Sequence, residues 1–183
     1  MEDKKLEVRI YLFTIYQLSG NQKGIQCLHA ALRYGRKYYF DPTFNYFMDN
    51  WETAMMMNGG TTNIRVNEEG VSVGTLNQIL DKIKANDINH TFFHEPDLND
   101  ALTSVCFLVD ERVFNFKDYP KFSDYVISHL NTDLPNEEIV RIRIMGVETI
   151  KEVYAKEYGD WLELIGGKQN EFLKDLLPNY RWA

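Results

Sequence analysis

Apolar and polar positions change period several times along this chain. Residues 6–15, LEVRIYLFTI, are rich in β-branched and aromatic side chains and predict a buried strand. The turn LSGNQKG follows, and the spacing then predicts a helix over 22–39. Asp41-Pro42 interrupts it, and TFNYFMDNWETAMMM predicts a second helix, stopped by Asn58-Gly59-Gly60. TTNIRV reads as a second strand, with Gly70 in the turn after it. From Ser72, the spacing of Val73, Leu76, Ile79, Leu80 and Ile83 is a helical stripe. INHTFFHE predicts a third strand cut off by Pro96, and TSVCFLVD a fourth after the loop EPDLNDAL.

This alternation implies an α/β fold: a four-stranded mixed sheet with helices on both faces. The character changes after about residue 115. YPKFSDYVISHL, the long run from Leu134 to Tyr158, WLELIGG and NEFLKDLLPNY read as a C-terminal helical extension. Pro135, followed by Glu137 and Glu138, suits a helix first turn, and Gly166-Gly167 a helix stop. The expected organisation is an α/β domain over 1–115 and an extension over 116–183 packed on it. Tyr119, Phe122, Tyr125, Tyr154, Tyr158, Trp161, Phe172, Tyr180 and Trp182 are too many aromatics for solvent, and some of them are expected to dock on the sheet domain.

Composition narrows the picture. With 44% hydrophobic and 26% charged residues, the chain buries an ordinary core. No apolar run approaches the roughly 18 residues of a membrane helix. The start, MEDKKLEVRIYLF, lacks the pattern of a secretory signal, so a cytoplasmic location and no membrane partner are expected. Cys27 and Cys106 lie in apolar surroundings and read as buried reduced thiols. Met55-Met56-Met57 with Trp51 reads as core or a subunit contact.

Charge is unevenly placed. The net charge of −7 argues against broad attraction to a nucleic-acid duplex. Residues 21–40, however, carry Lys23, Arg33, Arg36 and Lys37 and no acid, while residues 41–118 hold five basic and thirteen acidic side chains. A small phosphate-bearing ligand suits such a local patch, and an ordinary solvated face is the plainer reading. His90 and His94 would share a strand face about 13 Å apart, too far for one metal. The chain also lacks a Gly-x-x-x-x-Gly-Lys loop and a Gly-x-Ser-x-Gly elbow, so neither metal nor cofactor is expected.

The segment QCLHAAL, Gln26 to Leu32, resembles the Gln-x-x-His-Ala-Ala pattern of the type II peptidyl-tRNA hydrolases, which follows a loop containing glycine and lysine. NWETAMMMNGGTTNIRV, TLNQILDKIKANDINHTFFHE and TSVCFLVD are similar to later family segments, in the same order. The resemblance covers roughly residues 7–113. It departs from the family pattern at three places. The family's lysine slot holds Gln22, with Lys23 one position later, and its Asp-Ala-Gly becomes Glu95-Pro96-Asp97. The threonine position falls on Asn99, with Thr103 the nearest hydroxyl.

What the resemblance implies is hydrolysis of the ester joining a peptide to a tRNA 3′ end, or of a related blocked aminoacyl ester. His29 would orient or deprotonate water with Glu95 or Asp97 as its carboxylate partner. Lys23 would stabilise the oxyanion, and Thr103 or Asn99 would donate a hydrogen bond. Gln22 and Gln26 would contact substrate, and Arg33, Arg36 and Lys37 would hold acceptor-stem phosphates. The resemblance also implies a homodimer. The alternative is a binding protein on the same scaffold, its chemistry altered, recognising a nucleotide-like ligand or a protein partner. EPDLND read by itself is also ordinary turn chemistry.

Overall fold

The structure is a computed structural model that describes residues 5–62, 74–130 and 135–183, with the backbone alone at Glu138. It divides into two compact units: residues 1–111 with 176–183, and residues 112–175. The division differs from the sequence expectation in the last eight residues, which join the sheet unit.

In chain order the first unit holds β1 (Val8–Ile15), α1 (Gly20–Lys37), α2 (Pro42–Asn50), β2 (Thr53–Gly60), α3 (Thr75–Ala85), β3 (His90–Glu95) and β4 (Ala101–Asp110). A 3₁₀ turn, Pro96–Leu98, joins β3 to β4. The strands form one mixed sheet in the order β2-β1-β4-β3. β1 and β2 are parallel, and β4 runs antiparallel to both β1 and β3. Strands β1, β2 and β3 therefore point the same way, and their C-terminal ends share one edge of the unit.

Period-two alternation sets the two faces. Val8, Ile10, Leu12, Phe93 and Cys106 pack with Cys27, Ala30 and Tyr34 of α1 and Phe47 of α2. The opposite face carries Tyr11 and Phe13, both stacked on Phe107. Leu76, Ile79 and Ile83 of α3 are fully buried there, and Leu76 lies against Gly59 of β2. Both faces of the sheet are thus covered by helices, as the alternation requires.

The methionine run is where the expected order of elements fails. Thr53–Gly60, TAMMMNGG, is strand β2 and not the end of a helix. Helix α2 ends with Trp51 as its C-cap, and Glu52 takes a left-handed φ of 50° that breaks the helical path. Methionine lacks branching at Cβ and favours helices locally. Pairing with the central strand overrides that preference, setting Met55, Met56 and Met57 beside Tyr11, Leu12 and Phe13. Met57 is buried and Met56 packs against the core, in keeping with a packing role for the run. Asn58-Gly59-Gly60 accordingly lies inside the strand. The strand expected at TTNIRV lies outside the described residues from Asn63 onward, as do Gly70, Ser72 and Val73.

Both edge strands are covered, which protects unpaired backbone from association. Beside β2 runs the chain's C-terminal tail. The Asn58 amide donates to Arg181 O (2.8 Å), the Ala183 amide donates to Met56 O (3.0 Å), and Trp182 bridges Met57. Tyr180 meets Phe13 edge-on at 5.1 Å. Beside β3 run side chains of α1, described below.

The second unit is helical: α5 (Phe122–His129), α6 (Asn136–Ile144), α7 (Val147–Val153), α8 (Ala155–Ile165) and α9 (Lys168–Leu176), preceded by the short α4 (Glu111–Phe114). Its core is Phe122, Tyr125, Val126, Ile142, Ile150, Trp161 and Ile165. Gly166, at φ +80°, ends α8 in the left-handed conformation, and the Gly167 amide donates back to Leu162 O. Among the described residues no helix is long and apolar enough to cross a membrane.

Candidate functional site

Helix α1 starts with a capping box. The Gln22 amide donates to Ser19 Oγ, and Gln22 Oε1 accepts from the Ser19 amide at 3.1 Å. Gln22, a candidate substrate contact, is therefore engaged in starting the helix. Cys27, Ala30 and Tyr34 then face the sheet, while Gln26, His29, Arg33 and Lys37 follow at helical spacing along the side that overlies β3.

A bulge in β4 builds the buried part of the site. β3 pairs Phe93 with Ser104 and His94 with Leu102, which leaves Thr103 as the extra residue. A bulge re-aims the side chain it carries. Thr103 Oγ1 donates to Gln26 Oε1 at 2.7 Å and lies 3.2 Å from Phe93 O. Gln26 Nε2 donates in turn to Glu95 Oε2 at 2.6 Å. Thr14 Oγ1 donates to Thr103 O at 3.0 Å, tying the chain of bonds to β1. Gln26, Thr14 and Thr103 are buried. Glu95, the last residue of β3, is half-buried, and its other oxygen accepts from the Asp97 amide at 3.5 Å. Three sequence candidates far apart in the chain, Gln26, Glu95 and Thr103, thus come together.

The remaining candidates are distributed differently. His29 is exposed and stacks on Phe93, with ring centroids 4.3 Å apart, and has no hydrogen-bond partner among the described residues. It is not joined to Glu95 or Asp97. The Arg33 guanidinium lies over the same Phe93 ring at 4.6 Å and donates to Phe92 O at 3.0 Å. Lys37 donates to His90 O at 3.3 Å. Arg33 and Lys37 thereby hold outward carbonyls of the edge strand, a structural duty beyond a solvated face. Arg36 is on another side of α1 and lines an open apolar groove of about 450 Å³ with Leu32, Phe44 and Met48.

The Lys23 side chain has no hydrogen bond or ion pair among the described residues, and its charge acts on the Cys27 thiol. Asp97 is exposed, and its amide donates to Glu95 Oε1. Asn99 sits at φ 53° as the left-handed end of the 3₁₀ turn, so EPDLND is turn chemistry as well as the source of Glu95. Neither cysteine is an activated nucleophile. Burial pushes the Cys27 thiol up against weaker opposition from Ser104, Thr14 and Lys23, and burial also pushes Cys106 up. Among the described residues no group of three His, Cys, Asp or Glu side chains could hold a metal ion.

Phe93 and Tyr38 escape the sequence reading, since each looks like an ordinary core aromatic. The signal available for Phe93 is its position two residues before Glu95, on the same strand face. No protein-family model matches this chain, and no curated protein or solved structure matches it.

Proposed function

We propose that the α1–β3 site hydrolyses the ester of peptidyl-tRNA or of a related blocked aminoacyl ester, as its resemblance to the type II peptidyl-tRNA hydrolases implies. The observation that carries this reading is the hydrogen-bonded cluster Gln26–Glu95–Thr103, which includes the helix that carries the exposed His29 and the half-buried Lys23. Apolar side chains would pack the same space with less desolvation cost, so a satisfied polar cluster at this position favours a functional use. Its place at the C-terminal ends of like-directed strands, beside the start of α1, is where open α/β sheets bind ligands.

In this reading water attacks the ester carbonyl carbon, and neutral His29 takes the water's proton. The ammonium of Lys23 faces the oxyanion as charge develops. When the ester C–O bond breaks, His29 returns the proton to the departing ribose oxygen. Glu95, fixed by Gln26, supplies negative charge to the site. Arg33 spends one N–H on Phe92 O and keeps others for a phosphate.

A specific observation favours the alternative of a binding protein. His29 lacks a carboxylate partner among the described residues, while the His29–Phe93–Arg33 stack presents aromatic and cationic surface suited to a nucleotide. One experiment separates the two readings: release of N-acetyl-amino acid from N-acetyl-aminoacyl-tRNA at stoichiometric protein, with retention of the tRNA measured in parallel. Release that His29→Ala abolishes supports the hydrolase. Retention without release supports the binding protein. Neither release nor retention sinks both.

A further inference from the structure

The second unit contains a cavity of about 250 Å³ that owes nothing to the α1–β3 site. Its apolar walls come from Phe122, Ile142, Met145, Val147, Ile150 and Trp161. Its charged walls come from Lys121, Arg143, Lys151 and Lys174, with Glu171 and Asp175 as the acids among the described residues. Residues 112–175 hold nine basic and twelve acidic side chains. The cavity therefore inverts the sign of the unit around it.

The cations fall into two classes. Lys174 is 3% exposed, and its ammonium donates to the carbonyls of Arg112, Val113 and Tyr119. Lys151 pairs with Glu171 at 3.0 Å and Glu148 at 3.2 Å. These two are built into the wall. Lys121 and Arg143 are exposed at the cavity, and neither makes an ion pair among the described residues, although the Lys121 charge also acts on Asp175. Glu171 is neutralised by Lys151, Lys168 and the Tyr158 hydroxyl. The first turn of α5, which lines the same space, has no side-chain cap.

We propose that this cavity binds a small organic carboxylate, its apolar body against Trp161, Ile142 and Ile150 and its anionic head between Lys121 and Arg143. Free phosphate lacks the body that the apolar walls would bury, and a neutral molecule of the same shape leaves the two cations unused. The volume corresponds to about eight waters, which restricts the ligand to a single ring or a short branched chain.

The test is calorimetric titration of the full chain with 3-phenylpropionate, its amide and inorganic phosphate, at low and high salt. The expected result is saturable binding of the carboxylate, weakened at least tenfold in the amide, by high salt and by Arg143→Gln. Arg143 is exposed, so that variant keeps the fold. Val147→Trp, at a position 60% exposed on the cavity wall, should fill the space and abolish binding with thermal unfolding unchanged. Absence of saturable binding below about 10 mM, a regime weaker than roughly 3 kcal/mol, overturns the proposal. Equal affinity for the amide or for phosphate overturns it as well. Ester release at the α1–β3 site should be unaffected by either substitution.

Discussion

The hydroxyl of Tyr38 donates to the carbonyl of His90 at 3.3 Å and lies 3.1 Å from the His90 amide, whose hydrogen it accepts. One helix side chain thereby satisfies both outward backbone groups of a residue on edge strand β3. Lys37 shares the same carbonyl, and Arg33 takes that of Phe92. Two of the four cations of α1, Arg33 and Lys37, thus help to finish a sheet edge.

Tyr38→Phe should leave the His90 amide to water and its carbonyl to Lys37, and cost about 1–2 kcal/mol in urea unfolding. Amide exchange at His90 should accelerate selectively, while that of Phe93, which pairs toward β4, changes less. Uniform acceleration across β3 and β4 would contradict this account.

Gln26 occupies the middle of a bonded chain, so its removal strands two partners. Gln26→Leu should destabilise the sheet unit by about 1–3 kcal/mol, since Thr103 loses an acceptor and Glu95 a donor. The companion Thr103→Val should cost less, because the Gln26 bond to Glu95 survives it. Denaturant midpoints of the two variants test the order.

If the ester hydrolase reading holds, Glu95→Gln should lower release at least tenfold while leaving retention of the tRNA nearly unchanged. His29→Ala should lower release by about 10²–10⁴, the usual weight of a general base. Single-turnover release, with retention measured alongside, distinguishes loss of chemistry from loss of binding.

Glu171 gives the helical unit a pH signature. Burial pushes its carboxyl up, but hydrogen bonds from Tyr158, Lys151 and Lys168 outweigh burial and hold it below the ordinary carboxylate value. The folded value is lower than the unfolded one, so this stabilisation is complete above the unfolded value near 4.5 and is lost as pH falls through the folded value. Glu171→Gln should destabilise the unit at neutral pH and flatten its acid unfolding between those two values. Circular dichroism melts across pH 2–7, a window set by the usual carboxylate range, provide the check.

Gly59 lies within β2, and a Cβ there would sit 2.6 Å from Leu76 Cδ1 and 3.2 Å from Thr14 O. Gly59→Ala should therefore cost about 1–3 kcal/mol through displacement of α3 from the sheet. A mutational cost near zero would mean that Asn58-Gly59-Gly60 is not held in the strand.

The sequence by itself determined the elements whose pattern is local. β1, β3 and β4 announce themselves by β-branched and aromatic runs. α1 and α3 do so by stripes at helical spacing, and the helix stop at Gly166-Gly167 by residues that tolerate left-handed backbone. It also singled out Gln26, Glu95 and Thr103 as candidates. Tertiary structure decided what local pattern leaves open. TAMMM reads as helix and becomes, with Asn58-Gly59-Gly60, a strand because the edge of β1 offers it a ladder of hydrogen bonds. Thr103 faces Gln26 because a bulge, set by the pairing of β3 with β4, turns it from the face its alternation assigns. Arg33 and Lys37 meet backbone carbonyls because β3 falls at the sheet's edge, a consequence of strand order that no spacing along the chain contains. Propensity and periodicity act over a few residues, whereas register and strand order are settled by the burial and pairing of segments distant in the chain.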